Sequence, residues 1–331
     1  MPAYNAQRFI RLTLESVFRQ TVQDFEIVVV NDGSIDETQE ILESVENAKL
    51  RVITQENGGE CAARNRGMRE ARGKYISFLD SDDVWHENHL EQARNFLEAN
   101  PDCAWFSSTY TWVNEISAQD IARPDLSKDS AMLTNWYLEG CRLILPSCVT
   151  VRAEIVKDFP HLFQEGYKMF GDNLGWCKLA KKYPMIGIAA TSTMLYRFWQ
   201  GNASTTYNVC RNGVRTEPVK MALRKHAEFY REPDCPKEAK LYYRSFCLGN
   251  WWSCITSLLE SSEAEDAFQL CGTCLNGPDV WWFRLFRRFR NLSLHAMRWG
   301  IRRYNLLLRR KMDRMANRTR IRFDSSYSRI K

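Results

Sequence analysis

No stretch of this 331-residue sequence runs 18 apolar residues without a charge, which excludes a conventional membrane-spanning helix. The opening residues, Met1-Pro2-Ala3-Tyr4-Asn5, carry neither a basic n-region nor an apolar h-region, so nothing in them marks the chain for export. Internal repeats and low-complexity tracts are missing too, which sets aside solenoids, propellers and disordered tails. Cysteine is present without a framework: eleven residues, an odd number, are scattered from Cys61 to Cys274. In a chain of this size that predicts reduced thiols in the cytosol. Cys271-Gly272-Thr273-Cys274 has no second ligand pair, and His86 and His89 stand three apart rather than four. Neither supports a zinc site. Both histidines are expected at the exposed start of a helix.

With 44% hydrophobic and 26% charged residues, the composition is that of an ordinary packed protein. The length predicts two folding units or one elaborated one. The net charge of +6 conceals an asymmetry: residues 284–331 carry +14, leaving −8 on the rest. A basic tail on a mildly acidic body points to an anionic partner, phospholipid headgroups or nucleic acid.

The front of the chain alternates strand and helix signals. Glu26–Asn31, Leu50–Thr54 and Tyr75–Leu79 are short β-branched or aromatic runs separated by helical patterns, which predicts an α/β fold with a parallel sheet covered by helices. Ile10, Leu14, Val17 and Phe18 share one face of the first helix, and Ser34 stands three before Glu37, the spacing of a capping box for the second. A third helix follows Asn57-Gly58-Gly59, and a fourth runs from about Asn88 to Ala99 before an aromatic strand over Ala104–Val113. Residues 117–130 read as a polar loop, and the remainder as richer in helix.

Three segments concentrate chemistry. Phe78-Leu79-Asp80-Ser81-Asp82-Asp83 ends a strand in three carboxylates. Asp80 and Asp82, two apart, project to one side of an extended chain and can hold a hard divalent cation, or else form an acidic turn capping the next helix. Val30-Asn31-Asp32-Gly33-Ser34 also ends a strand; Asp32 is either part of a tight turn or an acceptor for a nucleotide base or ribose. Asn57 to Gly67 feeds a glycine turn into a helix bearing Arg64 and Arg66, which can face a phosphate or lie on a solvated surface.

In order and spacing these segments resemble the family 2 glycosyltransferases, with Pro2-Ala3-Tyr4-Asn5, Asp32 to Asp36, Asn57 to Gly67 and Asp80 to Asp83 as the four matching motifs. The resemblance is clear over residues 1–115 and thinner to about 205. It implies a Rossmann-like GT-A mixed sheet with helices on both faces. Pro2, Tyr4, Asn5 and Asp32 would serve the nucleotide, Arg64 the diphosphate, and Asp80 and Asp82 a Mn²⁺ or Mg²⁺ ion, with Asp82 the more direct ligand. Phe170-Gly171-Asp172, Trp176–Pro184 and Tyr196-Arg197-Phe198-Trp199 match the family's second half, with Gly171 where Glu is usual and Trp199 where His is usual. Asp172 is then the candidate catalytic base of an inverting transfer, the other reading being a helix amino-terminal Asp favoured by the dipole.

Relatives carry an apolar strand ahead of Pro-x-Tyr-Asn, and here it is expected to be missing, through an upstream start or a crippled sheet. The expected organisation is a donor-binding part (1–115), an acceptor and catalytic-base part (116–205), a helical extension (206–279) and a basic amphipathic tail (280–331). In the tail Trp282, Leu285, Phe286, Phe289, Leu292 and Ala296 recur at helical spacing, with Arg284, Arg287, Arg288 and Arg298 largely off that stripe. It fits a helix at an anionic membrane surface, at the inner face of the plasma membrane, or one packed on the enzyme body. Nucleic acid is disfavoured because no groove-reading module accompanies the charge. Two rival functions stay open: a nucleotidyltransferase, and a catalytically silent membrane-associated nucleotide-binding protein. The sugar, base, acceptor and linkage are not legible.

Overall fold

The computed structural model describes residues 1–114, 119–122, 131–139, 144–167, 170–199 and 294–323, with parts of 221–245. The chain divides into two compact units: Met1–Gln200 with Thr319–Lys331, and Gly201–Arg318.

The first unit opens with β1 (Pro2–Ala3), α1 (Ile10–Phe18), β2 (Ile27–Asn31), α2 (Thr38–Glu43), β3 (Leu50–Thr54) and α3 (Glu60–Glu70). The three strands form a parallel sheet in the order β1-β2-β3. Its centre is the β-branched run of β2, buried along its whole length, as a strand covered on both faces must be. Alternation sends Ile27 and Val29 to a core with Ile10, Leu14 and Val17 of α1 and Leu42 of α2, while Val28 and Val30 meet Ala63 of α3. Helices therefore cover both faces.

The first strand is short: β1 holds only Pro2 and Ala3, inside the Pro-x-Tyr-Asn motif rather than ahead of it. Pro2 and Ala3 pair with Val30 and Asn31. The Met1 amine donates to the Val28 carbonyl at 2.9 Å, Val30 N–H to the Met1 carbonyl at 2.9 Å, and Asp32 N–H to the Ala3 carbonyl at 2.8 Å. The β2 groups that a lost neighbour would strand thus have partners.

β4 (Tyr75–Ser77) is shorter than its sequence signal and leaves the parallel sheet. It joins a second sheet with β5 (Val84–Trp85), β6 (Trp105–Asn114), β7 (Gln119–Ala122), β8 (Ala131–Asn135), β9 (Val149–Arg152), β10 (Met185–Phe198) and β11 (Ile321–Phe323), in the order β11-β8-β10-β6-β9-β4 with β5 on β10 and β7 on β6. Among its described strands only β6 and β10 pair in parallel; the β4–β9 pair is antiparallel. Two expectations are corrected here. The polar segment 117–130 includes β7, whose backbone pairs with the edge of β6, a gain that depends on hydrogen bonds rather than on apolar pattern. The segment expected to be helix-rich supplies β9 and the 14-residue β10 before position 200.

α4 (His89–Ala99) packs Ala93, Phe96 and Leu97 on Phe106, Ala131 and Ala189 of the second sheet. After the short α5 (Ile155–Asp158), α6 (Gly171–Lys182) is fixed by Trp176, which meets Phe163 at 5.1 Å, Phe78 at 5.6 Å and Trp105 at 6.0 Å between ring centroids. Burying each such aromatic contributes on the order of 2–3 kcal/mol. The cluster ties the amino end of α6 to the chain just after β4, where the carboxylates lie. α7 (Leu294–Thr319) buries Leu308, Met312 and Ala316, four apart, and exposes Arg309, Arg310, Lys311, Arg314 and Arg318. The chain then enters β11, antiparallel to β8, and Arg320 pairs with Glu139.

No described helix is long and apolar enough to cross a membrane. The described cysteines Cys61, Cys103, Cys148, Cys177 and Cys235 are buried and not joined in disulfides. Cys271–Cys274, Trp251-Trp252, Trp281-Trp282 and tail positions 284–292 lie outside the described residues.

Candidate active site

The loops after β1 and β2 are clasped together at the carboxyl ends of those strands. Asn5, in the left-handed region at φ 49°, receives the Ile35 amide on its side-chain oxygen at 3.0 Å, and its own amide donates to Ser34 Oγ at 3.0 Å. Ser34 is therefore engaged and does not cap α2. That helix starts at Thr38, and Asp36 accepts the Thr38 amide at 3.1 Å. Pro2 is buried within β1, whereas Tyr4 is half exposed.

Asp32 is buried and already an acceptor three times over. Gln55 Nε2 at 2.7 Å, Gly58 N–H at 3.0 Å and Gly59 N–H at 2.8 Å all donate to its carboxylate. It holds the glycine turn that launches α3, where Gly59, having no Cβ, takes a φ of +87° without strain. A nucleotide touching Asp32 would share an oxygen that the turn already uses.

The three carboxylates after β4 have separate duties. Asp83 is buried and structural: Ser147 Oγ donates to it at 2.5 Å and the Arg197 amide at 3.1 Å. Burial raises its carboxyl well above the usual range, reinforced by Asp82 and Asp80. Asp82 accepts the Trp199 indole N–H at 3.0 Å on Oδ2. Burial also raises its carboxyl, partly offset by that indole, and the neighbouring charge of Asp80 adds to the rise. Asp80 accepts Arg64 Nη2 at 2.6 Å on Oδ1. Asp80 and Asp82 thus face the same region, repel each other, and each commits one named oxygen to a protein donor.

Arg64 sits in the first turns of α3 with its side chain 1% exposed. Its Nη2 also pairs with Glu60, and its guanidinium stands 5.6 Å from the Phe163 ring centroid. Burial alone would lower its pKa, but Asp80, Glu60 and Asp172 outweigh that and hold it charged. Arg66 instead pairs with Glu70 at 3.0 Å on a half-exposed surface, so only one of the two arginines faces the site.

Asp172 lies in the first turn of α6, preceded by Phe170 in a left-handed conformation. The approach is pinned to α3: Asn65 Nδ2 donates to the Phe163 carbonyl at 2.8 Å, and the Phe163 amide returns to Asn65 Oδ1 at 3.0 Å. Burial raises the Asp172 carboxyl; Arg64 counteracts it, and Asp80 adds to the rise. Residues 2–5, 32, 64, 80, 82 and 172 come from five loops and helix ends, and Arg64 joins Asp80 and Asp172 electrostatically.

Ser147, which bridges Asp83 and the Asp80 amide, and Glu60 carry no sequence signal of a site role. Only their contacts show it. His89 is corrected as well: it is buried, stacked on Trp85 at 4.2 Å, with Nδ1 at 2.9 Å from Thr193 Oγ1, a core position. His86 is exposed as expected.

The model of the family described as glycosyl transferase family 2 matches residues 1–157. An uncharacterized glycosyltransferase of Haemophilus influenzae is 32% identical over 178 residues, covering 53% of this chain and 70% of that protein. Hyaluronan synthase of Pasteurella multocida is 27% identical over 266 residues, covering 73% of this chain and 27% of that protein. The chain spans less than a third of the length of the curated relatives it matches first. The fold is similar to that of residues 1–349 of S. aureus TarS, crystallised in complex with UDP-GlcNAc: TM-score 0.65 at 21% identity, over 82% of this chain and 77% of that one. With the strand-end carboxylates, the glycine turn and the buried arginine all inside the matched segment, the chain belongs to glycosyl transferase family 2.

Proposed function

We propose that this chain transfers a sugar from a nucleotide-diphosphate donor to a hydroxyl acceptor with inversion, in the synthesis of a cell-surface polysaccharide or lipid-linked glycan. The observation that carries the reading is the convergence of Asp80, Asp82, Arg64 and Asp172, with Asp80 and Arg64 also acting on the Met1 amine just before β1. The UDP-GlcNAc complex of TarS and the hyaluronan synthase and teichuronic acid glycosyltransferase TuaG among the relatives support a nucleotide sugar and a surface glycan.

In this reading Pro2, Tyr4, Asn5 and Asp32 line the nucleotide side and Arg64 faces the diphosphate. Asp80 and Asp82 suit Mg²⁺ or Mn²⁺: they are hard oxygen donors whose mutual repulsion a cation relieves. Among the described residues no group of three or more His, Cys, Asp or Glu is placed to hold a metal ion together, so the remaining ligands would be phosphate oxygens and water. An ion held by Asp80 and Asp82 would stabilise charge developing on the leaving diphosphate. Asp172 removes the proton of the acceptor hydroxyl as its oxygen bonds to the anomeric carbon, and the sugar–phosphate electron pair leaves with the diphosphate. A carboxyl raised by burial is the stronger base for that step, and it acts once ionised.

Chromatography of the products tests the reaction class. Nucleoside diphosphate is expected; pyrophosphate would replace the reading with a nucleotidyltransferase, and tight binding without either product would leave a silent nucleotide-binding protein.

The same reading places the chain at the inner face of a membrane. α7 exposes Arg309, Arg310, Lys311, Arg314 and Arg318 beside Leu306 and Leu307, which are 50% and 55% exposed, a face suited to anionic headgroups. Changing Arg309, Arg310, Lys311 and Arg314 to Gln is expected to cut flotation on phosphatidylserine vesicles by at least about tenfold at low salt. Unchanged flotation would remove the membrane from the proposal.

A further inference from the structure

Arg64 presents one nitrogen, Nη2, to two carboxylates on different elements: Asp80 at 2.6 Å and Glu60 of its own helix. An i,i+4 Glu–Arg pair on an open helix face contributes little. This one differs because the arginine side chain is 1% exposed and Glu60 feels the charges of both Asp80 and Asp172, so the pair belongs to the site. Arg64 Nε is buried and has no hydrogen-bond partner. The guanidinium is therefore poorly solvated and depends on its carboxylates.

That dependence conflicts with a cation at Asp80. If Asp80 turned wholly to a divalent ion, Arg64 would keep a buried charge with one of its two carboxylate partners gone, a costly state unless the other holds it. Its other options are to hold Asp80 against the ion or to fall onto Asp172, whose charge it already feels. We propose that Glu60 is a positioning residue that keeps Arg64 in place, so that Asp80 is released to the cation and Asp172 stays unpaired. This rests on the donor-site reading above.

A second observation explains why the carboxylate stands on α3. Gly171, immediately before Asp172, has no room for a side chain: a Cβ there would lie 2.4 Å from Cys61 Sγ. No acidic side chain can approach Asp172 from that neighbouring position on this backbone, and Glu60, next to Cys61, brings one from the facing helix.

The test is calorimetry of UDP, GDP and dTDP binding over a Mn²⁺ series, with melting curves to verify folding. Glu60→Gln is expected to raise the Mn²⁺ concentration for half-maximal nucleotide binding about tenfold, and Glu60→Asp to restore part of it. In an Arg64→Met background the Glu60→Gln shift should vanish, since the effect acts through Arg64. A shift that persists there would mean that Glu60 supplies only negative field and would overturn the proposal, as would Glu60→Gln with an unchanged Mn²⁺ dependence. Wild-type chain that binds no nucleotide diphosphate in a Mn²⁺-dependent way would instead remove the donor-site reading and this inference with it.

Discussion

Asp172→Asn is expected to lower sugar transfer about 10²- to 10⁴-fold with donor saturating, while nucleotide-diphosphate binding stays within about twofold. The substitution keeps shape and hydrogen-bonding capacity and removes the base. Asp172 heads α6, whose seat is set by Trp176 against Phe78, Phe163 and Trp105 and by the Asn65–Phe163 amide pair; none of these uses its carboxylate, so the fold should persist. The pH profile adds a sign. A base whose pKa is raised must lose its proton to act, so the wild-type rate should climb with pH through that raised value and stay level above it. The variant's residual rate should lack that limb. Single-turnover rates between pH 4 and 8 measure it, and near-wild-type transfer by the variant would return Asp172 to the role of a helix-start residue.

Asp82→Ala is expected to abolish the Mn²⁺-dependent part of nucleotide-diphosphate binding, a loss of at least about 10²-fold, and to bring turnover to background. With two protein carboxylates available, losing one leaves Asp80 alone, and Asp80 already holds Arg64. The Trp199 indole would also lose its acceptor, which should cost about 1–3 kcal/mol of stability. Calorimetry with UDP, GDP and dTDP, with and without Mn²⁺, reads the first effect and names the preferred base; a melting curve reads the second. Equal binding by variant and wild type in Mn²⁺ would move the cation elsewhere and leave Asp82 as a partner of Trp199 only.

Local pattern was enough for the front of the chain. The β-branched run of β2, the helix stripe of α1, the span of α4, the Gly58–Gly59 turn and the strand-end carboxylates are features of neighbouring residues, and the sequence alone placed them close to where they stand. It erred where distant partners decide. β4 pairs with β9, some 75 positions later, and β7 exists because β6 offers it an edge. Ser34 was engaged by Asn5 before it could cap a helix, and His89 was drawn into the core by Trp85 and Thr193.

The same division runs through the site. Order and spacing of motifs determined which family the chain resembles and which carboxylates to watch, because those motifs are read along the chain. Which arginine faces the site, that Asp83 is structural, that Asp32 holds a turn and that Glu60 shares Arg64 with Asp80 were decided by tertiary structure. Each of these depends on whether a charged group, once buried, finds its compensating partner across the fold, and the identity of that partner is not encoded in the residues beside it.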